Sequence, residues 1–342
     1  MLLALALLIV GIVILTFAAD YFVDGAVDLA DAFNISPVVV GALVIGFGTS
    51  LPEMLVSGVA AVQGDADLGV GNVVGSNVAN LTLVLGFAGL IAVIKIDSLT
   101  QRRELPFCIA SVLLFAVLVQ GGFRRWEGIV LVIALVGTIG YLLLNAHEGD
   151  DASGGDTEDN VDPESEDGSD SAMGSAVRTV IGLAGTVGGA WLLVEGGTGL
   201  ADELGLSGGF VGLTLVAIGT SLPELVTAVV AARKGETDLI IGNLLGSNIF
   251  NSLAVGSVLG LLGPGPLEDP NLAGLATIIM VVVVLLAALF LYTGGRIVAW
   301  QAGVLLVLYF VTIPFTISTT DECDDDPSAE ECAATAVALP GG

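Results

Sequence analysis

The chain has 342 residues, 54% of them hydrophobic and only 13% charged, with a mean hydropathy of +0.93. An ordinary soluble domain is about 25% charged, so this composition excludes a soluble globular protein and points to a chain that crosses a membrane several times. Nine Lys and Arg against 36 Asp and Glu give a net charge of −27, which leaves no electrostatic footprint for nucleic acid.

A spanning helix needs about 20 mostly apolar residues. Stretches of that kind cover residues 2–19, 37–62, 68–94, 105–120 and 126–145, then 175–195, 208–232, 239–262, 272–292 and 297–318. The expected fold is an all-α integral membrane protein of ten helices. No basic residue precedes the first stretch, so it reads as a retained helix rather than a cleaved signal peptide. After the fifth stretch, residues 148–170 hold eleven carboxylates and no Lys or Arg, and residues 321–331 hold seven more. Such runs read as solvated segments, and the first lacks the spacing of an EF-hand. The organisation is then a first unit over 1–147, an acidic linker over 148–173, a second unit over 174–318 and an acidic tail over 319–342. Cys108 lies in an apolar run and reads as a packing residue. Cys323 and Cys332 flank acidic tail residues and would bridge only in an oxidising compartment.

The two units repeat one another. Gly48-Thr49-Ser50-Leu51-Pro52-Glu53 recurs as Gly219-Thr220-Ser221-Leu222-Pro223-Glu224, an offset of 171. The same offset aligns 64–80 with 235–251, with nine of seventeen positions identical, and Gly25 with Gly196. This is an internal duplication. Five helices per copy would start the second copy on the opposite membrane face, giving inverted repeats of the kind transporters build around a midplane site. With the N-terminus outside, Lys95, Arg102, Arg103, Arg178, Arg233, Lys234 and Arg296 face the cytoplasm and only Arg124 and Arg125 face out, as the positive-inside rule prefers. That orientation makes the linker cytoplasmic and the tail external.

Glu53 and Glu224 fall in mid-span. A charged side chain at bilayer depth costs at least about 2.5–3.5 kcal/mol, so it should face the interior and serve a function. Pro52 and Pro223 lack a backbone N–H and disturb the carbonyls of Gly48 and Gly219, so helices 2 and 7 should break there. Such irregular backbone is tolerated only where protein or a cavity covers it. Thr49, Ser50, Thr220 and Ser221 add hydroxyls at the breaks. The second repeated block pairs Asn72, Ser76, Asn77 and Asn80 with Asn243, Ser247, Asn248 and Asn251. Asn80 and Asn251 read as ion contacts, whereas Gly71, Gly75, Gly242 and Gly246 read as helix-packing positions. The one histidine, His147, stands at the linker edge. An all-oxygen set with two carboxylates suits Ca²⁺ or Na⁺ and not zinc or copper. A cage that holds either ion but not a full load of both would couple their movement.

The paired Gly-Thr-Ser-Leu-Pro-Glu motifs, each followed by Gly-Asn-x-x-Gly-Ser-Asn, resemble the α-repeats of the sodium/calcium exchanger family within the cation/calcium antiporter superfamily. The resemblance implies an antiporter of Ca²⁺ and Na⁺ with no organic cofactor, extruding Ca²⁺ across the cell membrane as helices 1 and 6 rock against the other eight. It implies Glu53 and Glu224 as shared ligands, with Thr49 and Thr220 contributing to the calcium site. Ser50, Ser76, Ser221 and Ser247 would line the sodium sites with the carbonyls of Gly46 and Ala217, and Asn80 and Asn251 would sit at the centre. Some relatives carry Asp at the position of Asn251, which leaves proton sensitivity and potassium use open. The short linker leaves no room for the regulatory calcium-binding domains of animal exchangers. The partners expected are inorganic cations and the lipid bilayer, with the chain acting as a monomer. The carboxylate excess suits a halophilic, archaeal source. The readings weighed against exchange are a Ca²⁺/H⁺ antiporter, a cation channel, which lacks here the usual subunit ring, and an intramembrane protease, whose Gly-x-Gly-Asp setting is missing.

Overall fold

The computed structural model describes residues 1–33, 35–64, 66–145, 172–203, 217–267, 269 and 271–316. The acidic linker run, His147, the tail with Cys323 and Cys332, and the first part of the expected 208–232 span lie outside the described residues. Helix α1 covers Leu2–Phe33. Helices α2 (Pro37–Thr49) and α3 (Leu51–Gln63) meet at a bend of 45°. Then come α4 (Ala66–Ile91), α5 (Glu104–Leu118), α6 (Arg125–Leu144) and α7 (Ala172–Glu203). The second unit continues with α8 (Ala217–Thr220), α9 (Leu222–Lys234), α10 (Thr237–Leu262), α11 (Leu272–Gly294) and α12 (Ala299–Thr316).

The protein is a helical membrane protein. Among the described residues six helices are long and apolar enough to cross a bilayer, or seven when α2 and α3 count as one span. The apolar stretches expected at 105–120 and 297–318 form helices outside that count, α5 with 15 residues and α12 with an apolar stretch over Ala299–Thr312. The chain is not wholly helical. Strands β1 (Ile94–Lys95) and β2 (Arg296–Ile297) pair antiparallel, with Ile94 opposite Ile297 and Lys95 opposite Arg296. Two-residue strands are too short to show the alternation by which strands are read from sequence.

The sequence duplication is a duplication of backbone conformation. Ser50 has φ −83°, ψ 5° and Ser221 has φ −89°, ψ 5°. Both sit in the sparsely allowed bridge region, two residues ahead of a proline that cannot continue the hydrogen-bond ladder. Helices α3 and α9 end on Gly64 and Gly235, at φ +82° and +83°, where a side chain would be strained and glycine is not. Helices α4 and α10 each contain a π turn, at Asn80–Val84 and Asn251–Val255.

Helices α4 and α10 form the centre, with 78% and 89% of their apolar windows buried, against 22% and 28% for α1 and α7. They run antiparallel, placing Asn77 beside Ser252 and Gly69 beside Leu259. Helices α1 and α7 also run antiparallel, backbone against backbone. Gly196 meets Ala4 and Leu8, Gly189 meets Leu15, Gly182 meets Phe22 and Gly25 meets Thr179, and a methyl added at any of them would come within 2.5–2.8 Å of main-chain atoms. The α1–α7 pair is thus tightly joined to itself and peripheral to the core. Apolar side chains such as Ile133, Val136 and Val307 are about two-thirds exposed, as a lipid-facing surface requires.

Helix α1 runs fourteen residues past its expected end at residue 19, through Asp20, Asp24, Asp28 and Asp31. Partners on two other helices hold the first three of these acids. Arg178 of α7 pairs with Asp24 at 2.9 Å and Asp28 at 2.7 Å, and its guanidinium lies 4.9 Å over the Tyr21 ring. Lys234, at the end of α9, pairs with Asp20 at 2.7 Å and Asp24 at 2.5 Å. Asp24 therefore ties α1 to both helices. The side chains are between 25% and 58% exposed, and exposed pairs are worth about 0–1 kcal/mol. Asp24→Asn is accordingly expected to lower the melting midpoint by only about 2–4 °C, with less effect at high salt; thermal denaturation in detergent at low and high NaCl measures this.

Candidate cation site

Glu53 lies in the first turn of α3 and Glu224 in the first turn of α9. The broken helices place each carboxylate at a helix start, where unsatisfied N–H groups favour negative charge. Both are buried, with 1% and 0% exposure.

Each acid is served by the other repeat. Thr220 and Ser221 are the hydroxyl neighbours of Glu53, and Thr49 and Ser50 are those of Glu224. Ser50 Oγ donates to Glu224 Oε1 at 3.3 Å. Since Ser50 is three residues from Glu53, both acids belong to one cluster, and Glu53 feels the charge of Glu224. Around them, Thr49 Oγ1 donates to Ile45 O at 3.0 Å or Asn243 Oδ1 at 3.2 Å. Ser247 Oγ donates to Gly46 O at 3.3 Å or Asn243 Oδ1 at 3.4 Å. Ser76 is buried on α4. Of Ala217, the main chain begins α8.

Many of these groups lack partners of their own. Both oxygens of Glu53, Oε2 of Glu224, Oγ of Ser221, and the amide O and N atoms of Asn80 and Asn251 are buried without a hydrogen bond. Leaving a buried polar group unmet costs about 1–3 kcal/mol, and a native structure concentrates such groups only where another function requires them. Most of the orphans are oxygens, and among the described residues no cluster of three or more His, Cys, Asp or Glu exists that could hold a metal by itself. The donor set is carboxylate, hydroxyl, amide and carbonyl oxygen, which suits a hard cation.

Several features were not read from the sequence. Asn80 and Asn251 open the two π turns, single-turn irregularities that recur at functional sites. Where Pro52 was expected to act on the carbonyl of Gly48, the Ser50 N–H donates to the carbonyl of Gly46, at 3.2 Å. Asn72 donates to Glu53 O at 3.1 Å and Ser57 Oγ at 2.9 Å, fixing the backbone under the acid. Asn243 was noted only as a repeated residue. Its identity in both copies was the available signal.

The packing glycines divide. A methyl on Gly242 would lie 2.2 Å from Val38 O, and one on Gly246 would lie 2.3 Å from Ala42 O, so α10 and α2 touch through these glycines. Gly71 meets Leu272 at 3.7 Å and Gly75 has no such neighbour among the described residues. The segment that the repeat would place against them, 209–213, lies outside those residues.

The family described as sodium/calcium exchanger protein matches residues 3–144 and 174–318. This chain belongs to the sodium/calcium exchanger family. It is 30% identical over 344 residues to the sodium/calcium exchanger MaX1 of Methanosarcina acetivorans, covering 91% of this chain and 98% of MaX1. It is 35% identical over 316 residues to the inner membrane protein YrbG of Escherichia coli K12, covering 91% and 95%. Its fold is similar to that of the sodium-calcium exchanger NCX_Mj soaked with Na⁺ and Sr²⁺, with a TM-score of 0.79 at 32% identity over 92% of this chain and 98% of that one. As a member of this exchanger family it is an antiporter-type membrane protein.

Proposed function

We propose that this family member exchanges Na⁺ for Ca²⁺ across the cell membrane, expelling Ca²⁺ at the expense of the Na⁺ gradient. The observation that carries the reading is the crossed pair of buried acids set among partnerless oxygens. Glu53 and Glu224 together neutralise one Ca²⁺, and Na⁺, of nearly the same size, uses the same oxygens. Thr49, Thr220, Ser50, Ser221, Ser76, Ser247, Asn80, Asn251 and the carbonyls of Gly46 and Ala217 complete the cage in this proposal. The chain then acts as a transporter and not an enzyme, and as a monomer, because one chain supplies both halves of the cage.

The ten-span inverted repeat is part of the same proposal. It is supported by the antiparallel course of the corresponding helices α1 and α7, and α4 and α10. An N-terminus outside is supported by the pairing of Lys95 with Arg296, which keeps two of the seven basic residues at one end. Alternating access would come from the α1–α7 pair moving against the other helices, in keeping with its tight internal packing and its place at the rim. The excess of 36 acidic over nine basic residues supports a high-salt habitat.

The test is transport in proteoliposomes. An outward Na⁺ gradient at constant pH is expected to drive Ca²⁺ uptake. Uptake that follows a pH gradient and ignores Na⁺ would assign the protein to Ca²⁺/H⁺ antiport instead.

A further inference from the structure

Asn243 sits in α10 with 1% exposure. Its Oδ1 lies 3.2 Å from Thr49 Oγ1 in the first repeat and 3.4 Å from Ser247 Oγ in the second. Each hydroxyl has one proton to give, and each has a competing acceptor, Ile45 O at 3.0 Å for Thr49 and Gly46 O at 3.3 Å for Ser247. Ser247 therefore chooses between a main-chain carbonyl and the amide oxygen, and Thr49 chooses between these two kinds of acceptor and the Glu224 carboxylate beside it. The choice decides what a cation meets. A proton given to Gly46 O covers that carbonyl. A proton given to Asn243 Oδ1 leaves that carbonyl holding only the Ser50 N–H, with one lone pair open, and fixes the direction of the hydroxyl lone pairs. The corresponding Asn72 is committed elsewhere, to Glu53 O and Ser57, so the role belongs to one copy of the repeat.

We propose that Asn243 is a positioning residue for Na⁺: its Oδ1 takes the hydroxyl protons of Thr49 and Ser247 and thereby leaves one lone pair of the Gly46 carbonyl and both hydroxyl oxygens open to the ion. This rests on the reading of the cluster as a cation cage. Ca²⁺, held first by the two carboxylates, depends less on Asn243 than Na⁺ does.

The experiment is the melting midpoint of the full chain in detergent, titrated with NaCl and separately with CaCl₂, which reads binding without transport. Asn243→Leu keeps the shape and removes the acceptor. It is expected to raise the half-saturating Na⁺ concentration about 5- to 10-fold, the scale of one or two hydrogen bonds, while changing that of Ca²⁺ less than about 3-fold. Asn243→Asp keeps an acceptor oxygen in place and is expected to bind Na⁺ at least as tightly as the parent. A parent-like Na⁺ response in Asn243→Leu overturns the proposal, and so does an equal loss in both variants. If Asn243→Leu does not fold, Asn243→Ala is read the same way. Failure of both to fold, with Asn243→Asp folded, makes the residue structural and also overturns the proposal. A parent that responds to Na⁺ here but shows no coupled flux in liposomes removes the exchange reading alone, whereas a parent blind to Na⁺ removes both.

Discussion

Replacing either central acid by its amide, Glu53→Gln or Glu224→Gln, is expected to cut Na⁺-driven Ca²⁺ uptake by about 100-fold or more while leaving the protein folded. Each carboxylate supplies half the charge that balances a divalent ion. The remaining acid with neutral oxygens cannot replace the lost charge in a site where water is excluded. Stability should move the other way or not at all. A carboxylate at bilayer depth costs a few kcal/mol to bury, so in ion-free buffer either variant should melt at or above the parent's midpoint, and only the rise on adding Ca²⁺ should vanish. Proteoliposome uptake paired with thermal denaturation separates the two effects. Parent-like uptake in either variant would remove the acids from the centre of the mechanism.

Gly246→Ala is expected to be nearly as damaging by a different route. Its methyl would stand 2.3 Å from Ala42 O and 2.6 Å from Ala42 Cα, and both are main-chain atoms that cannot rotate away. Overpacking in a well-packed core typically costs about 1–3 kcal/mol, and a clash with backbone belongs at the upper end or beyond. Helix α2 would have to leave α10, carrying Gly46 and Thr49 away from Ser247 and Asn243. Loss of most Ca²⁺ uptake together with a lower midpoint is the expected pair of results. Gly137→Ala, at a place on α6 where nothing lies within 4 Å, is the control and should change neither. Unchanged transport in Gly246→Ala would mean that α2 and α10 are not rigidly apposed in the working protein.

The duplicated motif, the two acids and the helix breaks were legible because each rests on short-range chemistry: a proline without an N–H, a charge in an apolar run, a spacing kept twice. What was not legible depends on partners distant in sequence. The first apolar stretch was ended at residue 19, whereas Arg178 and Lys234, from elsewhere in the chain, pair with Asp20, Asp24 and Asp28 and let the helix continue. The π turns at Asn80 and Asn251 insert one residue into an otherwise regular helix, a change that leaves the apolar period almost untouched. The Gly46 carbonyl was named only through the family resemblance, and the residues alone pointed to that of Gly48, because Ser247, which lies against Gly46, is 201 residues away. The role of Asn243 needs two hydroxyls, one of them 194 residues away.

The placing of each acid beside hydroxyls from the opposite copy bears on how such a protein could originate. A half-length ancestor would own an acid and a set of hydroxyls that could not reach one another within a single molecule. Only a dimer of two such molecules, lying head to tail in the bilayer, would have closed the ring. Joining the two genes would then have preserved an arrangement that already worked, and afterwards let the halves drift apart, as Asn72 and Asn243 have done in the company they keep.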